Sequence, residues 1–169
     1  MINKEAVFMQ VIEEHKGMLF RVCRIYQDDN ADRDDLMQEI ILQLWLVFES
    51  FKGNSKIGTW IYRVALNTAI TYFKKQKRRN DTELLTEMAY NLPDHSLHAE
   101  KEEQLALFYA ALKHLNKIEK ALIFLYMESQ PYNEIALNLG ISEVNVRVRL
   151  TRIKNKLKEI IKNISYEHR

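Results

Sequence analysis

Apolar residues recur at three- and four-residue intervals along most of the chain, the period of amphipathic helices. A first helix is expected over residues 4–26, with Val7, Val11, Leu19, Val22 and Tyr26 facing a core. Asp28-Asp29-Asn30 breaks the pattern. A second helix is expected from about Asp32 to Glu49. Its stripe is Leu36, Ile40, Leu44, Val47 and Phe48, and its acidic start suits the positive end of the helix dipole. Residues 51–58 read as a loop, and Thr59 is the expected cap of a third helix reaching about Arg79. The period then fades around Pro93 and returns in helices over Glu100–His114 and Lys117–Met127. From Pro131 the pattern gives a short helix, a turn at Leu139-Gly140-Ile141, and a long helix opening at Ser142. That last helix carries Val146, Leu150, Ile153, Leu157, Ile160 and Ile164 on one face.

No run of alternating residues suggests a sheet, and 4 Gly and 2 Pro leave few breaks. The expected fold class is all-α. Two small helical domains, 1–79 and 100–169, are joined by a flexible linker over 80–99, and the second contains a helix-turn-helix.

A short helix, a glycine turn and a basic amphipathic helix are the parts of that motif, whose second helix enters the DNA major groove. At about 100° per residue, Val144, Val148, Thr151, Arg152 and Asn155 lie opposite the apolar anchor. Asn145 and Arg149 flank them on one side and Arg147 on the other, with Ser142 as cap and Lys154 further along. Arg and Asn suit guanine and adenine edges, and an apolar side chain suits a thymine methyl. Two readings of Val144 and Val148 stand side by side: thymine contacts, or ordinary exposed apolar residues that need no explanation.

Charge sharpens this picture. Residues 51–80 hold 8 basic and no acidic side chains, and residues 131–169 hold 8 basic against 4 acidic. Residues 1–50 and 81–130 are each net −5. One basic block alone is most simply a solvated helix face. Two, one of them on a helix-turn-helix, point to two contacts with phosphate backbone. The first basic block interleaves Trp60, Tyr62, Tyr72 and Phe73 with Arg63, Asn67, Lys74, Lys75, Arg78 and Arg79. Aromatics beside cations suit unpaired bases, although any single aromatic in a helix more often serves the core. The loop residues Lys52, Asn54, Ser55 and Lys56 suit an unstacked base.

Other chemistry is poorly supported. Asp94, His95 and His98 make an incomplete metal set, so neither metal nor cofactor is expected. No nucleophile-and-base motif or phosphate loop occurs, and no enzyme is expected. The lone Cys23 sits in an apolar helical pattern and reads as core. The first residues lack a signal-peptide core, and no stretch is long and apolar enough to span a membrane. A cytoplasmic protein without membrane insertion is expected.

The order of motifs resembles the extracytoplasmic-function group of bacterial RNA polymerase sigma factors, of the sigma-70 family, over nearly the whole chain. Asp35-Leu36-Met37-Gln38-Glu39 with Leu42-Gln43-Leu44-Trp45 is similar to the helix that binds core polymerase. Thr59-Trp60-Ile61-Tyr62-Arg63-Val64-Ala65 with Asn67 is similar to the promoter-melting helix. Tyr132-Asn133-Glu134-Ile135-Ala136, Gly140 and Val146 to Leu150 match the C-terminal helix-turn-helix.

The resemblance implies a promoter-specificity subunit of RNA polymerase. Region 2 would be 1–79 and region 4 would be 100–169. Asp35, Gln38, Glu39 and Leu42 would meet core polymerase. The loop at Lys52–Lys56 and the third helix would take the melted minus-ten element. Ser142, Asn145, Arg147, Val148, Arg149, Arg152 and Lys154 would face the duplex of the minus-thirty-five element. An anti-sigma partner is common in the family. The sequence departs from the family's usual residues at Asn145, Val148 and Thr71, so a known promoter sequence does not transfer.

Two other readings compete. A stand-alone helix-turn-helix regulator would bind duplex without polymerase, and the acidic second helix fits it poorly. An interaction protein would use its basic helices on a membrane or an acidic partner.

Overall fold

The computed structural model describes the backbone of residues 3–80 and 99–167, with side chains for 3–76 and 101–166. Every regular element among these residues is helical, as expected. The chain divides into two compact units, Met1–Glu83 and Leu84–Arg169. The expected linker falls on residues mostly outside those described, as do Asp94, His95 and His98.

The first unit packs three helices, each against the other two: α1 (Lys4–Tyr26), α2 (Asn30–Val47) and α3 (Ile57–Asn80). Asn3 opens α1 by accepting a hydrogen bond from the Glu5 amide at 3.1 Å. The buried stripe of α1 includes Phe8, Ile12, Leu19, Val22, Cys23 and Tyr26. Val7 and Val11 were expected there, but Val7 is exposed and Val11 only half-buried. The face is set by Leu19 and Val22, and stepping back seven and then four residues from Leu19 reaches Ile12 and Phe8. Phe8 also meets Trp45 and Phe48 edge-on, at 5.0 and 5.1 Å between ring centroids.

Helix α2 begins two residues before the sequence expectation, because Asp29 caps it through the amides of Ala31 and Asp32. Leu36, Ile40 and Leu44 are fully buried, whereas Val47 and Phe48 lie at the half-buried end where the helix tightens into a 3-10 turn. Arg33 holds the corner between α1 and α2. Its Nε donates to the Gln27 carbonyl at 2.9 Å and its Nη2 to the Asp28 carbonyl. A cation there satisfies carbonyls that the end of α1 leaves open.

Helix α3 starts at Ile57, and its Trp60 amide donates to the Lys56 carbonyl at 3.2 Å. Thr59 is therefore inside the first turn and buried, not a cap. That turn is pressed against α1: a Cβ added at Gly58 would lie 3.3 Å from Nε2 of His15.

The second unit comprises α4 (Ala99–Leu112), α5 (Lys117–Met127), α6 (Tyr132–Leu139) and α7 (Glu143–Glu167). The run from Lys120 to Leu125 is buried throughout, which makes α5 the central helix. A reciprocal capping box opens it: Asn116 Oδ1 accepts from the amides of Ile118 and Glu119, and Glu119 accepts from the Asn116 amide. This arrangement satisfies donors that a helix start otherwise leaves unpaired.

Candidate nucleic-acid interface

The turn before α7 forms as its residues dictate. Gly140 adopts φ +65°, and the Ile141 amide reaches back to the Ala136 carbonyl at 3.1 Å, closing α6. Only glycine takes this left-handed conformation without a steric cost. Ser142 then caps α7, its Oγ accepting from the Asn145 amide at 3.2 Å. Val146, Leu150, Ile153 and Leu157 are buried as expected, and Ile160 and Ile164 are half-buried. That anchor fixes which residues face outward.

The structure sorts the polar residues of α7 into two sets. Arg147 is held sideways: its Nη2 lies 2.7 Å from Glu143 Oε1, and its guanidinium sits 4.7 Å from the centre of the Tyr132 ring. Lys154 sits with Nζ 3.8 Å over the Tyr126 ring, and Lys156 reaches Glu119 at 3.0 Å. These three cations tie α7 to α5 and α6. Arg149 and Arg152 are exposed and, among the described residues, have no partner. Asn145, Val144 and Val148 share their open side. The resemblance puts Arg147 and Lys154 among the duplex-facing residues; it does not register the rings of Tyr126 and Tyr132, which hold both cations aside.

In the first unit, Lys52, Asn54, Ser55 and Lys56 are all exposed, on a loop that turns at Gly53 with φ +72°. Its base rests on aromatics. Phe51 meets Trp60 at 5.3 Å and Phe48 meets Trp60 at 6.4 Å. Trp60 is thus half-buried beneath the loop, and Tyr62 is buried in the core. An open stacking face for Tyr62 does not exist in this conformation, because Tyr62 shares the buried face of α3 with Ala65, Leu66 and Ala69. Arg63, Asn67, Lys74 and Lys75 are exposed on α3. Arg78 and Arg79 lie on the same helix, with side chains outside those described.

Between α2 and α3 runs a groove of about 900 Å³ that sequence reading did not anticipate. Asp32, Asp35, Glu39 and Gln43 line one wall, and Asn67, Thr68, Thr71, Tyr72, Lys75 and Gln76 line the other. The resemblance gives Asp35 and Glu39 to one partner and Asn67 and Lys75 to another; the fold puts them on facing walls. Glu39 accepts a hydrogen bond from Gln43 at 3.0 Å. Gln38, Leu42 and Leu46 are exposed on α2, the leucines at 49% and 65%. Leu46 continues the line of Leu42 one turn on; it lies outside both the apolar stripe and the motif residues, so nothing in the sequence singles it out.

Nothing in the described residues suggests metal or redox chemistry. No group of three or more potential ligands clusters there. Burial pushes the Cys23 thiol up to about 12, so it stays protonated and unreactive at neutral pH. No helix among the described residues is long and apolar enough to cross a membrane.

Two helical units, one with an exposed aromatic-floored basic surface and one with a helix-turn-helix, define a two-part nucleic-acid-binding protein. Residues 11–79 match the family described as Sigma-70 region 2, and residues 105–157 match Sigma-70, region 4. The chain belongs to the sigma-70 family of RNA polymerase sigma factors.

It is 29% identical to the ECF RNA polymerase sigma factor SigG of Mycobacterium tuberculosis, over 88% of this chain and 47% of that protein. The chain thus spans about half the length of that relative. It is also 29% identical to the RNA polymerase sigma factor YlaC of Bacillus subtilis, over 92% of this chain and 90% of that one. The fold is shared with the sigma factor RpoE of Bartonella quintana, solved with the anti-sigma factor NepR. There the TM-score is 0.73 at 22% identity, covering 92% of this chain and 96% of that one. CnrH, solved with the cytosolic domain of CnrY, gives a TM-score of 0.69 at 19% identity, covering 95% and 91%.

Proposed function

We propose that this protein is a promoter-specificity subunit: it binds core RNA polymerase and directs initiation at its own promoters. The observation that carries this reading is the order of the two matched regions on one chain, each with its own open basic surface. A stand-alone regulator needs only the helix-turn-helix. Here α3 and the loop before it supply a second basic surface, and α2 supplies an acidic and apolar one.

In this reading region 2 occupies residues 1–79 and region 4 residues 100–169, with 80–99 as the connection. Asp35, Gln38 and Leu42, extended by Leu46, form the ridge that meets core polymerase. Glu39 lines the neighbouring groove. Lys52, Asn54, Ser55 and Lys56 receive an unstacked base above Trp60, and Arg63, Asn67, Lys74, Lys75, Arg78 and Arg79 hold the melted minus-ten strand. Tyr62 supports them from the core. Ser142, Asn145, Val148, Arg149 and Arg152 face the minus-thirty-five duplex, with Arg147 and Lys154 holding α7 in place. The protein acts in the cytoplasm, needs no cofactor and catalyses no reaction itself. An anti-sigma partner is part of the proposal, since the Bartonella quintana sigma factor was captured with one.

Reconstitution tests it. Core polymerase plus this protein is expected to start transcription at a discrete set of sites that core alone ignores. Failure to form a complex, where a control sigma factor binds, would sink the reading. Changing Gln38, Leu42 and Leu46 together to Ala is expected to weaken that complex while circular dichroism stays unchanged.

A further inference from the structure

We infer that Val144 and Val148 read thymine methyl groups in the upstream promoter element, which makes them specificity-determining residues. This rests on the proposed function.

Val144 is 70% exposed and Val148 43%, so neither contributes much to the core of its unit. Both are β-branched, which a helix surface tolerates less well than the Lys, Arg and Glu around them. Isolated exposed apolar residues need no account. These two are not isolated. They stand four residues apart on one face of α7, separated by about 6 Å along its axis, and Asn145, Arg149 and Arg152 lie along one side of them. Those three polar neighbours are exposed, while Arg147, Lys154 and Lys156 are drawn aside to Glu143, Tyr132, Tyr126 and Glu119.

The open face therefore presents two methyl-bearing side chains flanked by one amide and by two guanidiniums that have no partner among the described residues. In the major groove only thymine offers a methyl group, and guanine and adenine offer the acceptors that Arg and Asn reach. The ~6 Å between the valines is a little under two base-pair steps of about 3.4 Å. Two thymines within about two steps of each other, next to purines, complement this face. An apolar partner protein would also cover the valines, but it would leave the guanidiniums beside them without acceptors.

The test separates the methyl from the rest of the base. Polymerase assembled with the full chain selects promoters from a pool randomised upstream. Each thymine of the enriched element is then replaced singly by deoxyuridine, which lacks only the methyl. With the wild-type protein, one or two replacements are expected to weaken binding by about fourfold each, the effect of one buried methyl. Val148→Ser is expected to abolish the loss at one of these positions and Val144→Ser at the other. Both variants should melt at the wild-type temperature, because both sites are exposed.

An enriched element without a methyl-sensitive thymine would overturn the inference and leave the proposed function standing. So would serine variants that keep the wild-type deoxyuridine profile, or that weaken assembly with core polymerase in the absence of DNA. Failure to enrich any element would overturn the proposed function itself.

Discussion

The guanidinium of Arg147 lies over the ring of Tyr132, 4.7 Å from its centre, so α7 is braced against α6 by one of its own cations. Glu143 completes the brace at 2.7 Å. The same helix leaves Arg149, two residues on, without a partner among the described residues. Two arginines of similar appearance in the sequence thus have different work.

Their variants should diverge accordingly. Arg147→Ala removes an exposed cation–π contact of about 0.5–1 kcal/mol and a screened i,i+4 ion pair of about 0.3–0.5 kcal/mol. It is expected to lower the stability of the second unit by about 1 kcal/mol and leave base preference alone. Arg149→Ala is expected to change stability by less than about 0.5 kcal/mol while weakening specific binding by about 1–3 kcal/mol at one position. Urea unfolding beside duplex selection would reveal a reversed pattern, and that pattern would return Arg147 to the base-reading set.

Two left-handed residues of the second unit make opposite demands. Gly140, at φ +65°, has open space where a Cβ would go, so Gly140→Ala is penalised by backbone strain alone. A loss of about 1–2 kcal/mol is expected. Ser129 already bears that strain at φ 56°, and Ser129→Gly should recover up to about 1 kcal/mol. Thermal melting checks both, and matching shifts of the same sign would contradict the assignment.

Asn138 has both amide atoms buried without a hydrogen-bond partner among the described residues. An unsatisfied buried polar group costs about 1–3 kcal/mol, whereas an apolar group of the same shape costs little. Asn138→Leu is therefore expected to raise the urea midpoint of the second unit. A lower midpoint would mean that the amide is satisfied in solution, for example by a bound water.

The first unit is expected to weaken in alkali. Burial raises the Cys23 thiol to about 12 against an ordinary 9.0, and Tyr26 is raised by burial too. Between about pH 9 and 12 the unfolded chain gives up the Cys23 proton and the folded chain keeps it. The folded state then binds more protons, so stability falls as pH rises, by at most about 1.4 kcal/mol per unit from this group. Unfolding midpoints of wild type and Cys23→Ala from pH 8 to 11 should show a shallower decline in the variant. Parallel declines would show that Cys23 does not carry the effect. At neutral pH the thiol should resist alkylation until the protein is unfolded.

Much of this was legible in the chain. A glycine at a turn, a serine three residues before the amide it caps, and an apolar residue every third or fourth position act locally, so the sequence order states them. The anchor Val146, Leu150, Ile153 and Leu157 and the stripe Leu36, Ile40 and Leu44 were read this way, and both are buried. The first helix was read one position out of phase at its start, because Val7 and Phe8 are equally apolar on paper. Only packing against Trp45 and Phe48 chooses Phe8.

What periodicity could not supply were relations between residues far apart in the chain. Tyr132 and Arg147, Tyr126 and Lys154, and Glu119 and Lys156 meet only after α5, α6 and α7 have packed. Asp35 and Glu39 come to face Asn67 and Lys75 only because α2 lies along α3. By itself the sequence determined the helices, the Ser142 cap, the glycine turn and the family, all of which depend on neighbours within a turn or two. Tertiary structure decided which cations are held aside and which remain open. Side chains of equal charge differ only in what the folded chain brings within reach of them.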